Sequence, residues 1–188
     1  RIVKSIYLDT DSLKFFKESK DGLCFRRKFR IRWYESINEP KIFNHKPTHI
    51  CNPKLEIKIK NGHLGTKQVY PFDNKVLYEN DSFIENLSSS LIELPIDLDI
   101  KNTLKILKPN ILISYKRLYF ISRFLNCRLT VDSGIRFSLV NNSNYIFRKS
   151  HVFNNTIVEL KYPNDPEISG FIRSNLSFPF RTARYSKY

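Results

Sequence analysis

The sequence predicts an α+β domain dominated by antiparallel strands, closed into a barrel with a basic polar lumen and helices packed outside. Three observations predict it. Cationic side chains recur at every second residue: Arg26, Lys28, Arg30 and Arg32 in one segment, Lys58 and Lys60 behind Glu56 in a second, and Lys161 behind Glu159 in a third. A period of two is the strand period, so each row lines one strand face while Phe29, Ile31 and Trp33, Leu55, Ile57 and Ile59, or Val158, Leu160 and Tyr162 line the opposite one. An ordinary half-buried sheet mixes the signs of charge on its solvated face. These faces are strongly cationic, which suits a lining for a polyanion better than a solvated surface in a chain that is basic throughout. Closing the sheet puts the polar faces in a lumen and the apolar faces under helices.

The elements follow in order. Ile2 to Leu8 is strand-like, and Asp11 caps a short helix that runs to Glu18 and stops before Asp21-Gly22. The basic row makes Arg26 to Tyr34 a strand, and Ser36 to Pro53 is a polar, Pro-containing loop before the strand Leu55 to Lys60. Asn61-Gly62 is a hairpin turn signal with its return at Lys67 to Tyr70. Asp81 to Leu94 has helical spacing at Phe83, Ile84, Leu87, Leu91 and Leu94, and Asp99 to Leu107 is a second, shorter helix. Strands return at Ile111 to Phe120, Arg128 to Asp132, Ile135 to Leu139 and Thr156 to Tyr162, and Asp165-Pro166 opens a last helix to Leu176.

Composition sets the limits. With 188 residues and 41% hydrophobic content, the chain can bury a core and is expected to form one domain over 1–188. Thirty-two Lys and Arg against 18 Asp and Glu give a formal net charge of +14, which implies phosphate-rich partners or acidic surfaces. Cys24, Cys51 and Cys127 are odd in number and lack CxxC spacing, so they support neither a disulfide framework nor a zinc ribbon. No apolar run approaches the ~20 residues needed to span a bilayer, which makes a cytoplasmic location the expectation, any membrane association being left to parts outside this chain. The chain has no methionine and opens on Arg1 within a strand, so it is expected to be a piece of a longer domain.

The motifs carry a resemblance. Ser5 to Thr10 (SIYLDT), Asp21-Gly22-Leu23, Lys28 to Tyr34 (KFRIRWY), Leu55 to Lys58 (LEIK), Ser114 to Phe120 (SYKRLYF), Arg128 to Asp132 (RLTVD), Val158 to Tyr162 (VELKY) and Ser186-Lys187-Tyr188 occur in this order along the whole chain. Together they resemble the polyphosphate polymerase domain of the vacuolar transporter chaperone (VTC) family, a CYTH-like branch of the triphosphate tunnel metalloenzymes. The resemblance implies an eight-stranded antiparallel tunnel whose basic lining holds a triphosphate and a growing polyphosphate. It also implies that the family's first strand lies upstream of Arg1.

By the same resemblance, Arg30 and Arg32 match the paired tunnel arginines, Lys58 the lysine after the strand Glu, and Lys67 the lysine on the next strand. Arg117 matches the arginine of the Tyr-x-Arg segment, Arg128 the one opening the following strand, Glu159 the metal-binding glutamate, and Lys187 the lysine of the terminal Ser-Lys-Tyr. Arg30, Arg32, Lys58 and Arg117 are therefore expected to act on the transferred phosphoryl group. Lys28, Lys60, Lys67, Arg128, Lys161 and Lys187 are expected to bind substrate, and Glu159 to hold Mn²⁺ or Mg²⁺. ATP and polyphosphate are the implied partners, with inositol phosphates as candidate regulators.

The inventory suits that chemistry on its own terms. Phosphoryl transfer asks a protein mainly to position groups in line and neutralise charge on equatorial oxygens. Arginine forks bind nonbridging oxygens in pairs, lysines act as point charges, and a lone carboxylate can hold a hard divalent ion that bridges phosphates. A tunnel triphosphatase acting on inorganic or nucleoside triphosphates, or a non-catalytic module binding polyphosphate or inositol phosphates, would use the same lining.

Other residues have plainer readings. Glu56 can be a metal contact or pair with Lys58 or Arg30, and Asp132 can orient a basic residue or, before Ser133-Gly134, form a turn. Asp9 and Asp11 serve the strand-to-helix junction. His45, His49 and Cys51 lack a fourth zinc ligand and read as a solvated loop. Tyr7, Tyr115, Tyr119 and Tyr188 read as core or barrel wall, and Trp33 as an outward residue under a helix. Aromatics on the apolar faces argue against nucleic acid, and the scattered glycines argue against a P-loop.

Overall fold

A computed structural model of the chain describes residues 1–36, 52–71, 90–91, 93–123, 126–140, 147–163, 165–167, 170, 174 and 185–188. In chain order the elements are β1 (Ile2–Asp9), α1 (Lys14–Asp21), β2 (Phe25–Glu35), β3 (Lys54–Asn61), β4 (Leu64–Pro71), α2 (Leu98–Lys105), β5 (Lys108–Ser122), β6 (Cys127–Val140), β7 (Phe147–Phe153) and β8 (Ile157–Lys161). The strands form one eight-stranded sheet in the order β4-β3-β2-β1-β5-β6-β7, with β8 also on β6, and every pairing is antiparallel. The α+β class and the antiparallel sheet are as expected. Hydrogen bonds do not close the sheet into a barrel among the described residues.

The alternation in β2 decides the packing. Phe29, Ile31 and Trp33 are fully buried in a core with Leu55 and Ile57 of β3, Phe15 of α1, and Ile100 and Leu104 of α2. Helices thus cover the face opposite the arginine row, and Trp33 packs beneath them as expected. Burying a large aromatic of this kind stabilises by about 2–3 kcal/mol. A second cluster lies on the arginine side, where Val3, Tyr7, Ile113, Tyr115, Ile135 and Tyr188 form the floor of the charged face.

Several expectations are corrected. α1 is not capped by Asp11, which is exposed and pairs with Lys108 at 2.8 Å. The chain turns at Leu13 (φ 56°), bringing the first helical N–H groups to Asp9 and Thr10 instead. Asp9 Oδ1 accepts from Phe15 N at 3.0 Å, Oδ2 from Phe16 N at 2.9 Å, and Thr10 Oγ1 from Lys14 N at 3.1 Å. The return strand begins at Leu64, directly after the two turn residues Gly62 and His63.

The two strands expected at Arg128 to Asp132 and Ile135 to Leu139 are one strand, β6. Asp132-Ser133-Gly134 makes a bulge within it rather than a turn: the β5–β6 register shifts between Ser114 and Lys116, and Gly134 adopts φ 61°. β7 is not foreseen by the sequence reading. It pairs with the second half of β6 while β8 pairs with the first half, so the two lie end to end along one edge. α2 starts one residue before and ends two before the expected Asp99 to Leu107. Of the helix expected at Asp81 to Leu94, residues 81–89 and 92 lie outside the described residues. So do most of Asp165 to Leu176, the Ser36 to Pro53 loop between its ends, and the His45, His49 and Cys51 cluster.

Candidate functional site

The sheet register brings the predicted rows onto one face. Arg30 of β2 lies opposite Tyr7 of β1 and Glu56 of β3, and Arg32 lies opposite Ser5. Lys58 of β3 lies between Lys28 and Lys67. Farther along, Arg117 of β5 faces Asp132 of β6, and Thr130 and Arg128 of β6 face Glu159 and Lys161 of β8.

That face is concave. In a flat sheet β3 and β8 would lie five strand spacings apart, about 24 Å. Charges that far apart are largely screened. Yet Lys161 and Glu159 on β8 bear directly on the ammonium of Lys58 on β3. The sheet therefore curls around its basic side and brings its two flanks across from each other.

Two buried carboxylates organise the arginines. Glu56, 5% exposed, accepts from Arg30 Nε at 2.7 Å, pairs with Arg30 NH2 at 2.6 Å and Arg32 NH1 at 3.5 Å, and also bonds Lys67. Burial pushes its carboxyl up, but Arg30, Lys67 and Arg32 outweigh this and hold it below the usual carboxylate value. Arg30 also donates to the Tyr7 hydroxyl at 3.0 Å, and the buried Arg32 donates to Ser5 Oγ at 3.0 Å and the Tyr115 hydroxyl at 3.3 Å. Burial pushes the Tyr115 phenol up to about 12, so it remains a neutral partner.

Asp132 does the same across the face. It is 1% exposed and takes a two-pronged contact from Arg117, Nε to Oδ1 at 2.5 Å and NH2 to Oδ2 at 2.6 Å, with Lys187 Nζ at 2.7 Å from Oδ2. Burial raises its carboxyl, and Arg117 and Lys187 pull it below the ordinary value. Lys187 reaches it because the terminal Ser186-Lys187-Tyr188 segment packs against this face. Lys28 Nζ donates to Ser186 Oγ at 2.7 Å and to the main-chain oxygen of Tyr188 at 2.8 Å.

Lys58 is in a different state. Although Lys58 is exposed, desolvation by the surrounding strands, followed by the positive charges of Lys161 and Arg30, pushes its ammonium below the usual lysine value, and Glu159 only partly compensates. Glu159 is half exposed and pairs with Lys161 at 3.3 Å. On the opposing β6 residue, the buried Thr130 hydroxyl has no hydrogen-bond partner among the described residues. Arg128 is exposed at the end of β6, and the row position of Lys60 lies opposite Arg26 near the β3–β4 turn.

The predicted cations therefore share one face, gathered around Glu56 and Asp132, while Arg128 and Lys60 lie toward its ends. Sequence reasoning set Glu56 and Asp132 aside. The signal for Glu56 was its place in the basic row; Asp132 was obscured by the turn-like Ser-Gly that follows it. Ser5, Tyr7 and Tyr115 hold the arginines and could have been found only from the strand pairing. No three His, Cys, Asp or Glu side chains gather as a metal cluster among the described residues. No helix among them is long and apolar enough to cross a membrane.

The fold is thus an antiparallel β-domain that gathers carboxylate-held arginines and several lysines on one face of its sheet. The chain belongs to the VTC domain family, whose profile matches residues 1–188. Among solved structures, a "putative adenylate cyclase" from Bacillus halodurans is similar at 14% identity, over 100% of this chain and 80% of that one, with a TM-score of 0.47, too distant a likeness to carry an argument. No curated protein matches the chain.

Proposed function

We propose that the chain is a polyphosphate polymerase domain, in which the curled face acts as a tunnel holding ATP and a growing polyphosphate. A terminal oxygen of the polyphosphate attacks the γ-phosphorus of ATP. The bond from that phosphorus to the β,γ-bridging oxygen breaks, ADP leaves, and one new phosphoanhydride is formed. Membership of the VTC family supports this reading. The observation that carries it is the row Lys28–Lys58–Lys67 across β2, β3 and β4, in which Lys58 also meets the positive charges of Lys161 and Arg30. A bound polyanion relieves that repulsion.

The contacts support a role for each residue. Arg30, Arg32 and Arg117 are already oriented by Glu56 and Asp132, so they meet phosphate oxygens with little reorganisation. Lys28, Lys58, Lys60, Lys67, Lys161, Lys187 and Arg128 neutralise charge along the chain. Glu159 and the orphaned Thr130 hydroxyl are hard oxygen donors on neighbouring strands, a set that fits Mn²⁺ or Mg²⁺ bound mainly through substrate phosphates. Such an ion supplies further neutralisation of the transferring group.

The full-length protein incubated with ATP and Mn²⁺ is expected to yield ADP and long-chain polyphosphate, and Glu159→Ala to abolish the polymer. Free phosphate in place of polymer would make the domain a triphosphatase. Tight polyphosphate binding without turnover would make it a binding module.

A further inference from the structure

The terminal segment is held by more than its lysine. The Tyr188 ring stacks on Tyr7 with centroids 4.5 Å apart and planes 9° from parallel, and meets Phe16 of α1 edge-on at 5.6 Å. Its hydroxyl donates to Asp9 Oδ2. Asp9 is 1% exposed, and the same carboxylate accepts from Thr10 N at 2.8 Å, Phe15 N at 3.0 Å and Phe16 N at 2.9 Å. One buried carboxylate thus fixes the start of α1 and, through the Tyr188 phenol, the segment that carries Lys187. Tyr7, beneath the Tyr188 ring, accepts from Arg30.

We propose that Tyr188 and Asp9 are positioning residues, a phenol–carboxylate clasp that keeps Lys187 against Asp132 on the basic face. Neither contacts substrate. A lysine on an unanchored segment loses rotamer and backbone freedom when it binds an anion. The clasp removes that loss in advance, because Ser186, Lys187 and Tyr188 are already immobilised by Lys28, Asp132 and Asp9. Its effect on affinity rests on the reading of this face as a polyphosphate site; its effect on Lys187 does not.

Two measurements on the full-length protein test it. In the first, surface amines are acylated and followed by mass spectrometry. Lys187 is expected to react slowly in the wild type and several-fold faster in Tyr188→Phe, which deletes the hydroxyl but keeps the ring stack. The exposed Lys105 serves as internal reference. In the second, inorganic tripolyphosphate is titrated calorimetrically into the wild type, Tyr188→Phe, Lys187→Ala and the double variant. Tyr188→Phe is expected to weaken binding by up to about tenfold, as for one lost charge-assisted contact, and to add nothing in the Lys187→Ala background. Unchanged Lys187 labelling, or penalties that simply add, would overturn the clasp. A wild type that does not bind tripolyphosphate would overturn the polyphosphate reading alone, since the labelling result decides the clasp without it.

Discussion

Glu56 and Asp132 are carboxylates that burial disfavours and neighbouring cations rescue, so their protonation is expected to control acid stability. Both are held below their ordinary values of 4.5 and 3.8. Their contribution is full above those values and is lost as pH falls through the lower, folded ones. Chemical denaturation is expected to show stability declining below about pH 4, with a shallower decline in Glu56→Gln. Asp132→Ala, which strands Arg117 and Lys187 on a partly buried face, is expected to cost about 3–5 kcal/mol at neutral pH. Lys58 has the opposite sign. Its ammonium is depressed by partial desolvation and by Lys161 and Arg30, so an arriving polyanion raises it. Calorimetry in buffers of different ionisation enthalpy should detect net proton uptake on tripolyphosphate binding, increasing as pH rises through the alkaline range. No uptake would mean that Lys58 does not meet the ligand. At this scale the sequence showed the cations clearly, because a period of two is visible in letters alone. It hid their partners, since whether Glu56 bonds Arg30 or Lys58 depends on register and side-chain reach, which no single strand encodes.

Among the elements, β6 is the strand that bends. Its bulge at Gly134 lies where the opposite edge passes from β7 to β8, so the strand changes partners where it bends. Gly134 has a left-handed φ of 61°, and a Cβ there would meet nothing within 4 Å. Gly134→Ala should therefore register backbone strain alone, about 1–2 kcal/mol. In a domain of this size that lowers the melting temperature by roughly 2–4 °C per kcal/mol. A neutral substitution would show that the bulge does not require the left-handed conformation. The sequence reading split β6 in two because Asp-Ser-Gly carries the chemistry of a turn, and only pairing with β5 on one side and β7 and β8 on the other turns that signal into a bulge. It missed β7 because Phe147-Arg148-Lys149-Ser150-His151-Val152-Phe153 has no clean alternation. β2 and β3 were legible because both of their faces are strongly marked, one by charge and the other by large apolar side chains, and β1 because its run of β-branched and aromatic residues puts apolar side chains on both faces.

Across the whole molecule, the chain carries a formal charge of +14, and Lys28, Lys58 and Lys67 lie side by side on neighbouring strands of the basic face. Binding of tripolyphosphate is therefore expected to weaken steeply with ionic strength, on the order of tenfold or more between about 50 and 200 mM salt. Titrations at three salt concentrations check this, and a flat dependence would remove phosphate contacts as the source of affinity. The overall class was legible because sheet, helices and charge all leave periodic marks. The curl was not, since it depends on strands distant in sequence facing each other across the molecule.

The crowding of like charges around Lys58 also bears on how such a protein can evolve. Each cation that repels its neighbours in the empty protein makes the resting fold less stable than its hydrophobic core alone would allow, while raising the appetite for the ligand. A lineage selected only for heat resistance would shed these residues early, Lys58 among the first, and would drift toward a sturdier sheet that no longer attracts phosphate. Persistence of the row in related sequences would then record selection for the ligand rather than for the fold.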